Sequence, residues 1–204
     1  KDARIVNVFT EEIIRGDIAI QDGIIAGIGS FHGKEERDLA GRYVCPGFID
    51  SHLHLESTLV TPAELVTVAS RHGTTTFIVD PHESANVSGL AGIDYILDQT
   101  EDVKANVYVM MPSCVPATAI DDNGCTLTAE DMVPYLHNSR ILGLGEVMDS
   151  ISVVQGEKSM HDKLELFEGR IRDGHAPFLE EGDLQAYAMA GIATDHECSF
   201  FDYA

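Results

Sequence analysis

Beyond Gly47 the chain alternates short apolar runs with amphipathic stretches of helical period. A strand–helix–strand rhythm of this kind folds as a parallel sheet with helices packed against it. Strands are predicted over residues 47–51, 74–80, 106–111, 141–146, 171–173 and 192–194. Between them lie helix signals. Thr61-Pro62-Ala63-Glu64 joins an N-cap threonine to a proline at the first helical position and a glutamate at the third, and Gly73 supplies a left-handed stop. Further helices are predicted over 89–99, from Thr128 to near residue 137 with Pro134 weakening the middle, over 160–167 and over 183–190. Six such units fit an incomplete (β/α)8 TIM-like barrel that stops before strands seven and eight, since a closed barrel takes about 250 residues. The alternative, a doubly wound open sheet, lacks its Gly-rich fingerprint, because Gly27-Ile28-Gly29 lies among β-signals with no helix behind it.

Residues 1–45 read differently. Residues 4–9, 13–20 and 24–28 are rich in β-formers, Gln21-Asp22-Gly23 is a hairpin turn, and Tyr43-Val44-Cys45 is one more short strand. So few strands make a thin core, so the expectation is an incomplete small β-domain over 1–45, followed by the (β/α) barrel over 46–204, truncated before strands seven and eight. The charge excludes a class of partner. With 13 Lys and Arg against 34 Asp and Glu the formal net charge is −21, the wrong sign for neutralising phosphates, so no nucleic acid is expected. No apolar run is long enough to span a membrane, and the first twenty residues show no signal-peptide pattern, so a cytoplasmic location is expected. Cys45, Cys114, Cys125 and Cys198 form no C-x-x-C pair and are read as reduced, structural residues.

Chemistry concentrates where the predicted strands end. Strand one closes on Asp50-Ser51-His52-Leu53-His54-Leu55-Glu56. Side chains alternate along a strand, so His52 and His54 share a side, which in a barrel is the interior at the end where active sites are built. Strand two ends in Asp80-Pro81-His82-Glu83, strand four in Glu146, strand five in His175 and strand six in His196. Taken singly, each has a plain reading: Glu146 as an exposed loop acid, His175 as a hydrogen-bonded loop histidine, His82 and Glu83 as a solvated pair. Together, four imidazoles and one carboxylate around one barrel mouth suffice for two cations with a bridging group. Mixed imidazole and carboxylate donors suit Mn, Fe or Zn. Paired cations about 3.5–4 Å apart would acidify a bridging water, so the chemistry expected is attack of a metal-activated hydroxide on an electrophilic carbon.

These residues resemble a known family. The N-terminal β-segment followed by Pro46-Gly47-Phe48-Ile49-Asp50-Ser51-His52-Leu53-His54 is similar to the opening of the amidohydrolase superfamily. Asp80-Pro81-His82-Glu83, residues 112–118, Gly143-Leu144-Gly145-Glu146-Val147-Met148, Asp173-Gly174-His175-Ala176-Pro177 and residues 191–198 resemble its binuclear-metal adenine deaminases. The resemblance implies hydrolytic deamination of adenine to hypoxanthine and ammonia, a purine-salvage reaction, with two divalent metal ions (Mn or Fe, Zn as the alternative). It implies that His52 and His54 hold one ion, His175 and His196 the other, and that Glu146 bridges them. Glu83 is the implied proton shuttle, His82 orients substrate or assists, and Ser113 lines the purine pocket. Also implied are a homo-oligomer, further barrel strands and a barrel-end aspartate that these residues do not contain. Two other readings stay open: a related hydrolase acting on amides or cyclic amides, as deacetylases do, and a catalytically silent fragment.

Overall fold

A computed structural model describes residues 1–118 and 120–196. Cys198 therefore lies outside the described residues. The chain divides into two compact units, Lys1–Gly47 and a second beginning at Phe48. In the first, β1 (Ala3–Asn7), β2 (Glu12–Gln21), β3 (Ile24–Gly29) and β4 (Tyr43–Val44) form a sheet in the order β3-β2-β1-β4. β1 and β3 flank β2 antiparallel, and β4 joins β1 in parallel. The β2–β3 hairpin turns through Asp22 and Gly23, whose φ values of 52° and 79° are the two positive angles a type I′ turn demands. Its core is thin: Ala3 and Ile5 are buried while Ile13, Ile20 and Ile24 stand exposed.

In the second unit the chain runs β5 (Phe48–Leu53), α1 (Pro62–Ser70), β6 (Thr74–Val79), α2 (His82–Ser88), α3 (Leu90–Gln99), β7 (Asn106–Met111), α4 (Ala129–Met132), β8 (Ile141–Val147), α5 (Ser150–Gln155), α6 (Lys158–Leu166), β9 (Ile171–Gly174), α7 (Glu181–Met189) and β10 (Thr194–Asp195). Among the described residues the six strands lie side by side in chain order, β10-β9-β8-β7-β6-β5, and every neighbouring pair is parallel. A doubly wound sheet would reverse its strand order at a switch point. None occurs here, so the architecture is a half-barrel, and the C-terminal ends of all six strands share one rim.

Burial follows from that order. β8 sits inside the sheet and is buried along almost its whole length, as a parallel strand covered on both faces must be. Phe77 and Val79 of β6, Val107, Val109 and Met111 of β7, and Ile141, Leu144 and Val147 of β8 form the centre of the core. Ile93 and Ile96 of α3, Met160 and Leu164 of α6, and Phe167 pack against them. Among the described residues no helix is long and apolar enough to cross a membrane.

The departures from the sequence reading have local causes. α2 has little apolar periodicity, burying Ala85 only, and its first turn is held from outside: Glu56 Oε1 accepts the backbone N–H groups of Glu83 and Ser84, both at 3.1 Å. A distant carboxylate thus does the work of an N-cap. α5 was hidden in a supposed connection, although Asp149 caps it through Ser152 N at 3.0 Å and Gly156 ends it at φ 72°. The helix expected from Thr128 to near 137 shortens to α4 followed by a 3₁₀ turn over Val133–His137, where Pro134 offers no N–H. β10 begins two residues later than predicted.

Gly143 lets β9 pass tightly beside β8, because a Cβ there would lie 2.0 Å from the Ile171 carbonyl oxygen. Backbone on both sides leaves no cheap adjustment. Gly143→Ala is expected to destabilise the second unit by about 1–3 kcal/mol, read as a lowered urea midpoint; an unchanged midpoint would show that the strands can separate without cost.

Candidate metal centre

Five of the residues singled out in sequence come together at the strand-end rim. His52 and His54 stand two apart at the end of β5, and their side chains turn to the same side, with the Nε2 atoms 3.0 Å apart. Both face Glu146, which β8 carries into the interior until it is 4 % exposed. Glu146 Oε1 lies 2.5 Å from His52 Nε2, 3.0 Å from His54 Nε2 and 3.1 Å from His196 Nε2. His196, just after β10, also stacks on His52 with ring centroids 3.7 Å apart. His175, just after β9, brings its Nδ1 to 3.2 Å from His196 Nε2. One carboxylate oxygen thus gathers three ring nitrogens, and a fourth imidazole adjoins them. The reading of Glu146 as an exposed loop acid is excluded by its burial.

Two aspartates that the sequence reading left without a role orient these rings. Asp173 of β9 places Oδ2 at 3.2 Å from His52 Nδ1 and 3.8 Å from His196 Nδ1, while its Oδ1 accepts the Thr194 hydroxyl at 2.7 Å. Asp80, after β6, accepts His54 Nδ1–H on its backbone oxygen at 2.8 Å. A signal for both was present in sequence, since each stands two residues before a rim histidine at a strand end.

This outer ring settles the tautomers. With Nδ1–H donated outward, the Nε2 lone pairs of His52 and His54 point at each other and at an ionised oxygen. Neutral rings in that arrangement would repel. In the absence of a cation the cluster must hold protons instead. The His52 imidazole, bonded to Asp173 and then to Glu146, is pushed up to about 10. His54, bonded to Glu146, is pushed up to about 9. Burial would raise Glu146, but the two imidazoles outweigh it and hold the carboxyl well below its usual range. Two N–H groups aimed at one oxygen still crowd each other, whereas a single divalent ion would satisfy the lone pairs and the carboxylate together. The donor set therefore fits a metal, and His52, His54 and Glu146, or Glu146, His175 and His196, each form a compact triad for one.

The remaining candidates sit elsewhere around this centre. His82 opens α2 with its ring edge against His54, centroids 4.6 Å apart. Glu83 does not join the convergent groups: it is exposed and its Oε2 accepts the Ser57 hydroxyl at 2.5 Å. Ser113 is buried, and its hydroxyl donates to the Glu146 backbone oxygen at 2.6 Å, bracing the end of β8 from β7's side. Lys163, buried on α6, donates to the Ser113 carbonyl at 2.7 Å and continues that brace.

Metal uptake must displace the protons that the cluster otherwise holds. An imidazole raised to about 9 or 10 is still charged at pH 7, and only the neutral ring binds a cation. Adding Mn2+ to chelator-stripped protein at pH 7 is therefore expected to release protons, and apparent affinity should climb as pH rises towards those values. Calorimetry in buffers of differing ionisation enthalpy measures the release; uptake without it would mean that the rings bind from the neutral state.

With the geometry established, comparison with known proteins gives a consistent result. The sequence pattern of the amidohydrolase family matches residues 43–204. An adenine deaminase of Desulfitobacterium hafniense (strain Y51) is 59 % identical over 204 residues, covering 100 % of this chain and 36 % of that protein. One from Clostridium acetobutylicum is 49 % identical over 201 residues, covering 98 % of this chain and 35 % of that protein. The chain thus spans about a third of the length of these relatives. Among solved structures, a 5-methylcytosine deaminase from Klebsiella pneumoniae liganded with 5-fluorocytosine superposes with a TM-score of 0.55 at 15 % identity, covering 97 % of this chain and 58 % of that one, which is a likeness of fold. Divalent metal ions are implied by the family, and the rim offers donors for them. By its sequence pattern, its ordered half-barrel and its rim of imidazoles, the chain belongs to the amidohydrolase family.

Proposed function

We propose that this chain forms the metal-binding part of an enzyme that hydrolytically deaminates adenine to hypoxanthine and ammonia. The observation that carries the reading is the convergence of His52, His54 and His196 on one oxygen of the buried Glu146. The names and the identity of the relatives support the substrate. The six strands are then the first part of a (β/α)8 barrel and residues 1–45 part of a small β-domain, the rest being supplied by further polypeptide.

In this reading His52 and His54 would hold one divalent ion, His175 and His196 a second, and Glu146 would be the ligand shared between them. Mn or Fe suits the mixed nitrogen and oxygen donors best, with Zn as the alternative. When bound, the ions would supply a water acidified towards neutrality and a polarising charge. The chain's own groups do the rest. Asp173 and the Asp80 carbonyl keep the imidazoles turned inward by holding their Nδ1–H groups. Ser113 fixes the strand end that carries Glu146 and contributes to the purine pocket. His82, packed against His54, orients the base.

Glu83 is the proton carrier. Attack at the amine-bearing carbon places charge on the purine ring, so a ring nitrogen must take up a proton as the bond forms, and the leaving amine another. Glu83 follows His82 in the first turn of α2, and its exposed carboxylate is held by the Ser57 hydroxyl. Rotation away from Ser57 would free it to take a proton from the attacking water and pass it to the ring nitrogen or the leaving amine. A small free base matches the strongly acidic composition better than adenine within a polynucleotide. A cytoplasmic location, a part in purine salvage and a homo-oligomeric state belong to the same proposal.

The decisive assay supplies adenine, and separately an acylated amine, to Mn2+-loaded protein carrying this chain within its whole barrel. Ammonia release from adenine, reduced by at least about 100-fold in Glu146→Gln, is expected. Acid release from the acylated amine without ammonia from adenine would replace deamination with amide hydrolysis, and turnover unaffected by Glu146→Gln would remove the bridging role.

A further inference from the structure

Beside the imidazole cluster, two buried carboxylates face one imidazole, His82, with no hydrogen bond between it and either of them. Asp80 is 2 % exposed, and neither of its side-chain oxygens has a hydrogen-bond partner among the described residues. It lies flat against β8 in space that only a glycine leaves open, since a Cβ at Gly145 would stand 2.1 Å from Asp80 Oδ2. Glu146 turns Oε1 to the three imidazoles and Oε2 the other way, towards His82. His82 Nδ1 is itself buried and unpartnered, 3.7 Å from Asp80 Oδ1 and 3.7 Å from Glu146 Oε2.

Those spacings are too long for hydrogen bonds. They suit something small held in common. A carboxylate removed from water is strongly disfavoured unless positive charge meets it, and the one imidazole between these acids stands 3.7 Å from each, too far to bond either. A divalent ion bound at about 2.0–2.2 Å in tetrahedral geometry spreads its donors to about 3.3–3.6 Å, close to the 3.7 Å seen. The three donor atoms from Asp80, His82 and Glu146 all lie within 4.8 Å of one another.

We infer that Asp80, His82 and Oε2 of Glu146 form a site for a further divalent cation, separate in its donors from the cluster around Oε1. Two carboxylate oxygens and one imidazole nitrogen select ions of the Mn2+ or Zn2+ kind. An ion there neutralises the acids that β6 and β8 bury side by side, and it anchors the start of α2, and with it Glu83. The inference shares only Glu146 with the dinuclear reading proposed above.

The test counts Mn2+ bound by the full chain, by equilibrium dialysis and elemental analysis, in the unmodified protein and in Asp80→Asn, His82→Gln and His175→Asn. Asp80→Asn and His82→Gln are each expected to bind one ion fewer than the unmodified chain, while His175→Asn keeps the ion that Asp80→Asn loses. An unchanged count in Asp80→Asn overturns the site. So does the loss of more than one ion, which would assign Asp80 to the imidazole centre. If the dinuclear reading fails and this one holds, the unmodified chain binds a single ion that is lost in Asp80→Asn and kept in His175→Asn. No bound Mn2+ in the unmodified chain overturns both. Melting of the metal-free variants is followed alongside; should Asp80→Asn fail to fold, His82→Gln decides the outcome with the same criteria.

Discussion

A carboxylate buried at the end of an interior strand has to be met by positive charge, and Glu146 imposes that demand on everything near it. At 4 % exposure it has almost no water to share its charge with. β5 and the segment after β10 bring imidazoles to its Oε1, and β6 and α2 bring Asp80 and His82 to its other side. Stripped of its imidazoles, Glu146 would be a lone buried anion, which no fold of this size holds easily. The cluster is therefore an electrostatic necessity of the sheet as well as a place for chemistry.

Around this acid the fold supplies rigid support. The imidazoles are turned by Asp173 and by the Asp80 carbonyl, which are themselves on or beside strands of the same sheet. The strand carrying Glu146 is braced from β7 by Ser113, whose own carbonyl is held by Lys163. Orientation of donors by a second ring of hydrogen bonds is what separates a preorganised metal centre from a chance group of histidines. Both glycines of β8 serve the same end. Gly143 lets β9 approach and Gly145 leaves the Asp80 carboxylate its place, so the small residues that weaken β8 as a strand permit the crowding at its tip.

Much of the rim was legible because strand ends and ligand-type residues coincide in sequence. The H-x-H pair needs only the alternation of side chains to be placed on one side, and Glu146 announces itself by ending an otherwise small and apolar strand. Asp173 and Asp80 stand beside histidines in the sequence without a legible task, because an acid at a strand end looks alike whether it orients a ring or faces water. Glu83 shows the converse. Its position beside His82 suggested membership of the cluster, yet the helix that begins there turns its carboxylate towards Ser57. That helix has no local signal in sequence because Glu56 holds its first turn across a gap of 27 residues, and no local pattern reports such a contact.

What the amino-acid order determined by itself is the architecture: the switch at Gly47 from β-formers to alternating strands and helices, the parallel sheet and the rim where its strands end. These follow from periodicity and turn chemistry, which act over a few residues at a time. Only the tertiary structure decided which oxygen of Glu146 faces which ring, that Asp173 and Asp80 set the imidazole tautomers, and that Asp80, His82 and Glu146 come together in one buried group. Such relations join atoms far apart along the chain, and distance and desolvation, which set their energies, exist only once the sheet has formed.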